Sequence, residues 1–129
     1  MPVLTIYKTV TYADPDSLTP YTMTATKTLN VETAQRTRYT LSSGSNTQIL
    51  SNGYPGLTTA NPLYTAIKNV GSGSAYILFD DGTSVFSHEI PAGAIFDFYG
   101  EDIWGTGGGD TFNAIHAKGN TELEVDVFM

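Results

Sequence analysis

The chain has 129 residues and a mass of 13.9 kDa, of which 40% are hydrophobic and 15% charged; that suffices for one domain with a real core and leaves a second one cramped. Six Lys and Arg against thirteen Asp and Glu give a net charge of −7 and a pI near 4.4, which argues against a phosphate-neutralising groove and so against nucleic acid as a direct partner. The absence of cysteine removes disulfide frameworks, thiol catalysis and cysteine-ligated zinc.

Thirteen glycines, six prolines and 19 threonines, with few Leu, Lys and Glu, point to an all-β protein, because β-branched and turn-forming residues suit pleated strands and tight bends better than helices. Met1 to Lys8 shows neither a basic n-region nor a long apolar run, and no stretch approaches the roughly 18 apolar residues of a membrane span. The chain thus reads as made and folded in the cytosol, without a membrane partner.

Residues 1–62 are rich in Thr, Ser and Asn and are interrupted at Pro15, Pro20, Pro55 and Pro62. Strands are expected at Val3 to Tyr12 and Tyr21 to Val31, with short ones at Arg38 to Leu41 and Gln48 to Leu50. Val31 to Arg38 is the one segment with the propensity for a short helical turn. This part is either an extended arm or the first strands of a sandwich. The folded heart is expected over 63–129, as a run of about five strands.

Leu63 to Val70 forms the first of these, ended by Gly71-Ser-Gly-Ser74. Tyr76 to Phe79 and Thr83 to Ile90 flank Asp80-Asp81-Gly82, a strong signal for a hairpin with a type I′ turn, which needs positive φ at its central residues. Ile90-Pro91-Ala92-Gly93 reads as a type I turn with proline second and glycine fourth. In Ala94 to Tyr99, Phe96 and Phe98 share a face opposite Asp97, which assigns both rings to the core. Gly100 to Asp110 reads as an exposed connection. Thr111 to Lys118 and Thr121 to Phe128 follow, with Gly119-Asn120 suited to a two-residue hairpin between them. In the last strand Leu123, Val125 and Val127 alternate with Glu122, Glu124 and Asp126, one face for the core and one for water.

Signals for chemistry are weak. A catalytic triad needs a histidine oriented by a carboxylate beside an exposed nucleophile; His88 and His116 lie inside expected strands, and no Gly-x-Ser-x-Gly elbow occurs. Glu122 and Glu124 could resemble a glycosidase pair, yet a solvated face that discourages edge-to-edge pairing accounts for them. Asp80, Asp81, Asp97, Glu101, Asp102 and Asp110 offer oxygen donors for calcium without the spacing of an EF-hand, and Asp-Asp-Gly is first a turn. Gly105 to Gly109 lacks the following Lys-Ser/Thr of a phosphate loop. No enzyme activity, cofactor or metal is therefore expected. Tyr54, Tyr99 and Trp104, beside Gly and Asp, could stack sugars or pack on a rim.

The succession Ile67-Lys-Asn69, Gly71-Ser-Gly-Ser74, Tyr76 to Gly82, Ile90 to Gly93, Phe96-Asp-Phe98, Ile115 to Gly119 and the terminal Glu-Leu-Glu-Val-Asp-Val resembles small virion proteins of tailed bacteriophages, of the capsid decoration or cement type. The resemblance covers Leu63 to Met129 and rests on turn-and-strand patterns. It implies an antiparallel β-sandwich, jelly-roll-like, on the capsid surface, acting as a homotrimer that bridges neighbouring copies of the major capsid protein. The expected capsid or subunit contacts are Val3, Leu4, Ile6, Tyr7, Val10 and Tyr12, in strand-like pieces with no evident partner. The alternative is a head-fibre or tail-tip module in which Tyr54, Tyr99 and Trp104 bind host-surface glycans.

Overall fold

The computed structural model of the protein describes residues 2–13, 15–16, 21–51, 63–80, 85–100 and 114–129. The chain divides into two compact units, Met1–Glu32 and Thr33–Met129; this boundary falls well before residue 62.

The first unit is an antiparallel hairpin of β1 (Val3–Tyr12) and β2 (Tyr21–Asn30), paired residue for residue from Val3↔Asn30 to Tyr12↔Tyr21. A further backbone bond, Val31 N–H to Pro2 O at 3.1 Å, closes its open end. The partner that Val3 to Tyr12 lacked in the sequence is therefore β2.

Among the described residues the second unit holds eight strands: β3 (Ala34–Thr40), β4 (Thr47–Ser51), β5 (Tyr64–Asn69), β6 (Ala75–Asp80), β7 (Val85–Ile90), β8 (Ile95–Tyr99), β9 (Ala114–Gly119) and β10 (Glu122–Phe128). They form two antiparallel sheets, in the orders β3-β10-β5-β8 and β4-β9-β6-β7. One hydrophobic cluster draws on both: Ile67, Phe98, Leu123, Val125 and Val127 from the first, Ile49, Leu50, Ile77, Phe79, Ile115 and Ala117 from the second. That is the layering of a β-sandwich, two inner faces sharing one core.

Several expectations are corrected here. Residues 34–40 form a strand and no helical turn: Arg36 and Arg38 pair with carboxylates of β10, a tertiary contact that outweighs a modest helix propensity. Among the described residues six strands follow residue 63, where about five are expected. The β6–β7 hairpin is present, pairing Asp80↔Val85 through Ala75↔Ile90, while its turn, 81–84, lies outside the described residues. Gly119-Asn120 makes no hairpin, because β9 and β10 belong to different sheets. Gly119, at φ +140°, lets the chain cross where a Cβ would meet Ser74 O at 2.5 Å. The Pro91 turn sits one residue later than expected: Ala94 N–H donates to Pro91 O, and Gly93 at φ +81° takes the third position, where a type II turn requires positive φ. Phe98 is buried, and Phe96 is half-buried against the core.

The crossing is held by Asn69, which is fully buried at the end of β5. Its Nδ2 donates to Gly73 O (2.7 Å) and Ile90 O (2.9 Å), and its Oδ1 accepts from Gly71 N–H (3.2 Å) and Thr121 Oγ1 (2.8 Å). All four hydrogen-bonding positions of the amide are thereby used. Gly71 sits so close to Thr121 and Glu122 N that a side chain would collide with both.

Candidate functional site

In β1 and β2 the alternation of side chains gives the hairpin two chemically distinct faces. One carries Thr5, Thr9 and Thr11 with Thr22, Thr24, Thr26 and Thr28, together with Val3, Tyr7 and Asn30. The other carries Leu4, Ile6, Val10 and Tyr12 opposite Leu29, Lys27, Met23 and Tyr21, with Lys8 across from Ala25.

On this second face Ile6 is buried and Leu4 and Leu29 are half-buried. Val10, Tyr12, Tyr21 and Met23 are 67%, 59%, 73% and 73% exposed. They are two adjacent cross-strand pairs, Val10↔Met23 and Tyr12↔Tyr21, whose tyrosine rings lie 6.5 Å apart. Four large apolar side chains are thus contiguous on one face rather than scattered singly. A two-stranded ribbon alone is marginally stable in water, so covering this face also stabilises the ribbon. The strands carry Lys8 and Lys27 and no acidic residue, against an overall charge of −7.

The six contact residues expected from the sequence separate on this register. Leu4, Ile6, Val10 and Tyr12 share the apolar face; Val3 and Tyr7, both exposed, lie on the threonine face. Tyr21 and Met23 complete the patch and were missed, although every second residue of β2 from Thr22 to Thr28 is threonine, which puts Tyr21 and Met23 together on the other face. Tyr54 and Trp104 lie outside the described residues, as do Asp81, Glu101, Asp102, Asp110 and Gly105 to Gly109. Tyr99 packs against Tyr64, the two rings tilted with centroids 5.5 Å apart.

The carboxylates of β10 are committed elsewhere. The strand is central, between β3 and β5, so its acids guard no sheet edge. Arg36 forks onto Asp126 through Nε (2.7 Å) and Nη2 (2.8 Å) and lies 3.5 Å from Glu124; Arg38 reaches Glu124 at 3.2 Å and Glu122 at 3.9 Å. The hydrogen bond to Asp126, then its charge, raise the pKa of Arg36 further above an already high value. Asp97 accepts from Tyr64 Oη at 2.6 Å; burial first, and then this bond, push the Tyr64 phenol well above its ordinary value. His88 is exposed against Phe96, ring centroids 4.6 Å apart, and His116 is half-buried within β9. Among the described residues no three His, Asp or Glu side chains gather as metal ligands, and no helix is long and apolar enough to cross a membrane.

Neither a family model, a curated protein nor a solved structure matches the chain.

Proposed function

We propose that this protein is a bacteriophage virion component of the decoration type, which attaches to the major capsid protein through the apolar face of the β1–β2 hairpin. The observation that carries the proposal is the exposed patch of Val10, Tyr12, Tyr21 and Met23. Burying it on a partner supplies apolar area. The role is structural, with no catalysis, cofactor or nucleic acid, and the place is the outer surface of the capsid.

The strand pairings support a jelly-roll reading of the Thr33–Met129 unit. β3 pairs with β10, β4 with β9, β5 with β8 and β6 with β7, as in one long hairpin. Its closure by β10·β5 and β9·β6 wraps that hairpin into two sheets, the double Greek key found in viral capsid and lectin domains. Residues 1–32 then act as the attachment segment. A homotrimer suits the local threefold positions of an icosahedral shell, where three hairpins engage at once and multiply weak contacts into firm attachment.

The double variant Val10→Asp, Met23→Asp tests the attachment, with binding to capsids that lack the protein as the readout. The melting of the Thr33–Met129 unit stays unchanged and capsid occupancy collapses. Undiminished occupancy would overturn the proposal.

A further inference from the structure

We infer that the outer face of the β3-β10-β5-β8 sheet carries a binding recess for a neutral saccharide at its β3 edge, built from Ala34, Gln35, Arg36, Asp126 and Phe128. These residues line a depression of about 220 Å³. Its shape follows from the register. Ala34 lies opposite Phe128, and Arg36 lies opposite Asp126. The single methyl of Ala34 leaves space beside the Phe128 ring, and the Arg36–Asp126 fork forms the next wall along the strands. Tyr64, buried on the neighbouring strand, holds its ring 6.0 Å from that of Phe128 and is itself anchored by its bond to Asp97. The aromatic wall is therefore set before any ligand arrives.

Charge decides the class of ligand. At the recess Arg36 and Asp126 neutralise each other; the rest of the face carries Arg38 and Lys68 with Glu122, Glu124 and Asp97, so the recess itself offers neither a phosphate nor a cation an unpaired charge. What remains is dense in donors and acceptors. Arg36 uses two of its five N–H groups on Asp126, and the Asp126 oxygens keep further lone pairs. Paired donors and acceptors beside an aromatic ring, with no net charge, are what a pyranose asks for. Its C–H face lies on the ring, and vicinal hydroxyls bridge guanidinium and carboxylate. The recess has room for one sugar ring, which places the affinity in the millimolar range.

The test is a two-dimensional NMR titration of the full chain with glucose, galactose, mannose and N-acetylglucosamine in turn. At least one of them produces saturable shifts at Ala34, Gln35, Arg36 and Phe128. Ala34→Leu, a change at an exposed position that fills the recess, abolishes these shifts and leaves the melting temperature intact. Phe128→Leu weakens binding by about tenfold. No saturable shift at these residues with any of the sugars, or the same shifts in folded Ala34→Leu, would overturn the inference. The hairpin plays no part in this titration, so its outcome is separate from that of the capsid-binding experiment.

Discussion

Replacing Asn69 by Leu keeps the volume of the side chain and removes its hydrogen bonds. Four are lost: two donated to Gly73 O and Ile90 O, two accepted from Gly71 N–H and Thr121 Oγ1. At about 1 kcal/mol for each bond, with the Ile90 carbonyl and the Thr121 hydroxyl left in buried surroundings, the cost comes to about 4 kcal/mol. For a unit of this size that corresponds to a fall in melting temperature of roughly 15–30 °C, read by far-UV circular dichroism and repeated as a urea titration. Thr121→Val alone removes one of the four bonds and costs about 1 kcal/mol. Because both changes delete the same Asn69–Thr121 bond, the double variant is less destabilised than the sum of the two, by about 1 kcal/mol. A fall of less than about 5 °C for Asn69→Leu, or strict additivity with Thr121→Val, would refute the view that this amide locks the crossing between the sheets.

Gly119→Ala combines a φ of +140° with a Cβ directed at Ser74 O and costs more than about 2 kcal/mol, whereas Gly93→Ala, at φ +81° in open space, costs about 1–2 kcal/mol from backbone conformation alone; urea titrations of the two rank them. Thr65→Val stabilises by about 1 kcal/mol, because the fully buried Thr65 Oγ1 has no hydrogen-bond partner and its desolvation goes uncompensated; a lower melting temperature would contradict this. Burial holds Tyr64 neutral above its ordinary pKa of 10.0, so its contribution to stability is complete below that pH and is lost as the pH rises through and beyond it. Melting temperatures measured from neutral to strongly alkaline pH therefore fall more gently for Tyr64→Phe than for the parent chain.

Strands whose two faces differ in polarity were legible from the sequence alone. The alternation of Leu123, Val125 and Val127 with acids located β10 to within a residue, and Asp80-Asp81-Gly82 located the β6–β7 hairpin. Pairing between distant segments was not legible, because no local signal names the partner. Val31 to Arg38 has the propensity for a helical turn, yet the carboxylates of β10, some ninety residues away, supply Arg36 and Arg38 with cross-strand partners. Gly119-Asn120 announced a bend, but whether a bend joins two paired strands or carries the chain between sheets depends on what lies across from it, here Ser74. The exposed apolar patch was half legible: Val10 and Tyr12 stood out as apolar strand residues, and the alternation in β2 puts Tyr21 and Met23 on one face, but only the hairpin register sets that face beside Val10 and Tyr12. The saccharide recess depends on Ala34 lying beside Phe128, a juxtaposition with no trace in the chain order.

The central claim, attachment of the protein to a capsid through the apolar face of the β1–β2 hairpin, is tested most directly by electron cryomicroscopy of particles decorated with the full chain. The account predicts trimeric density at the local threefold positions, with Val10, Tyr12, Tyr21 and Met23 buried against the major capsid protein. Particles without such density, or bound protein whose hairpin face points to solvent, would contradict it.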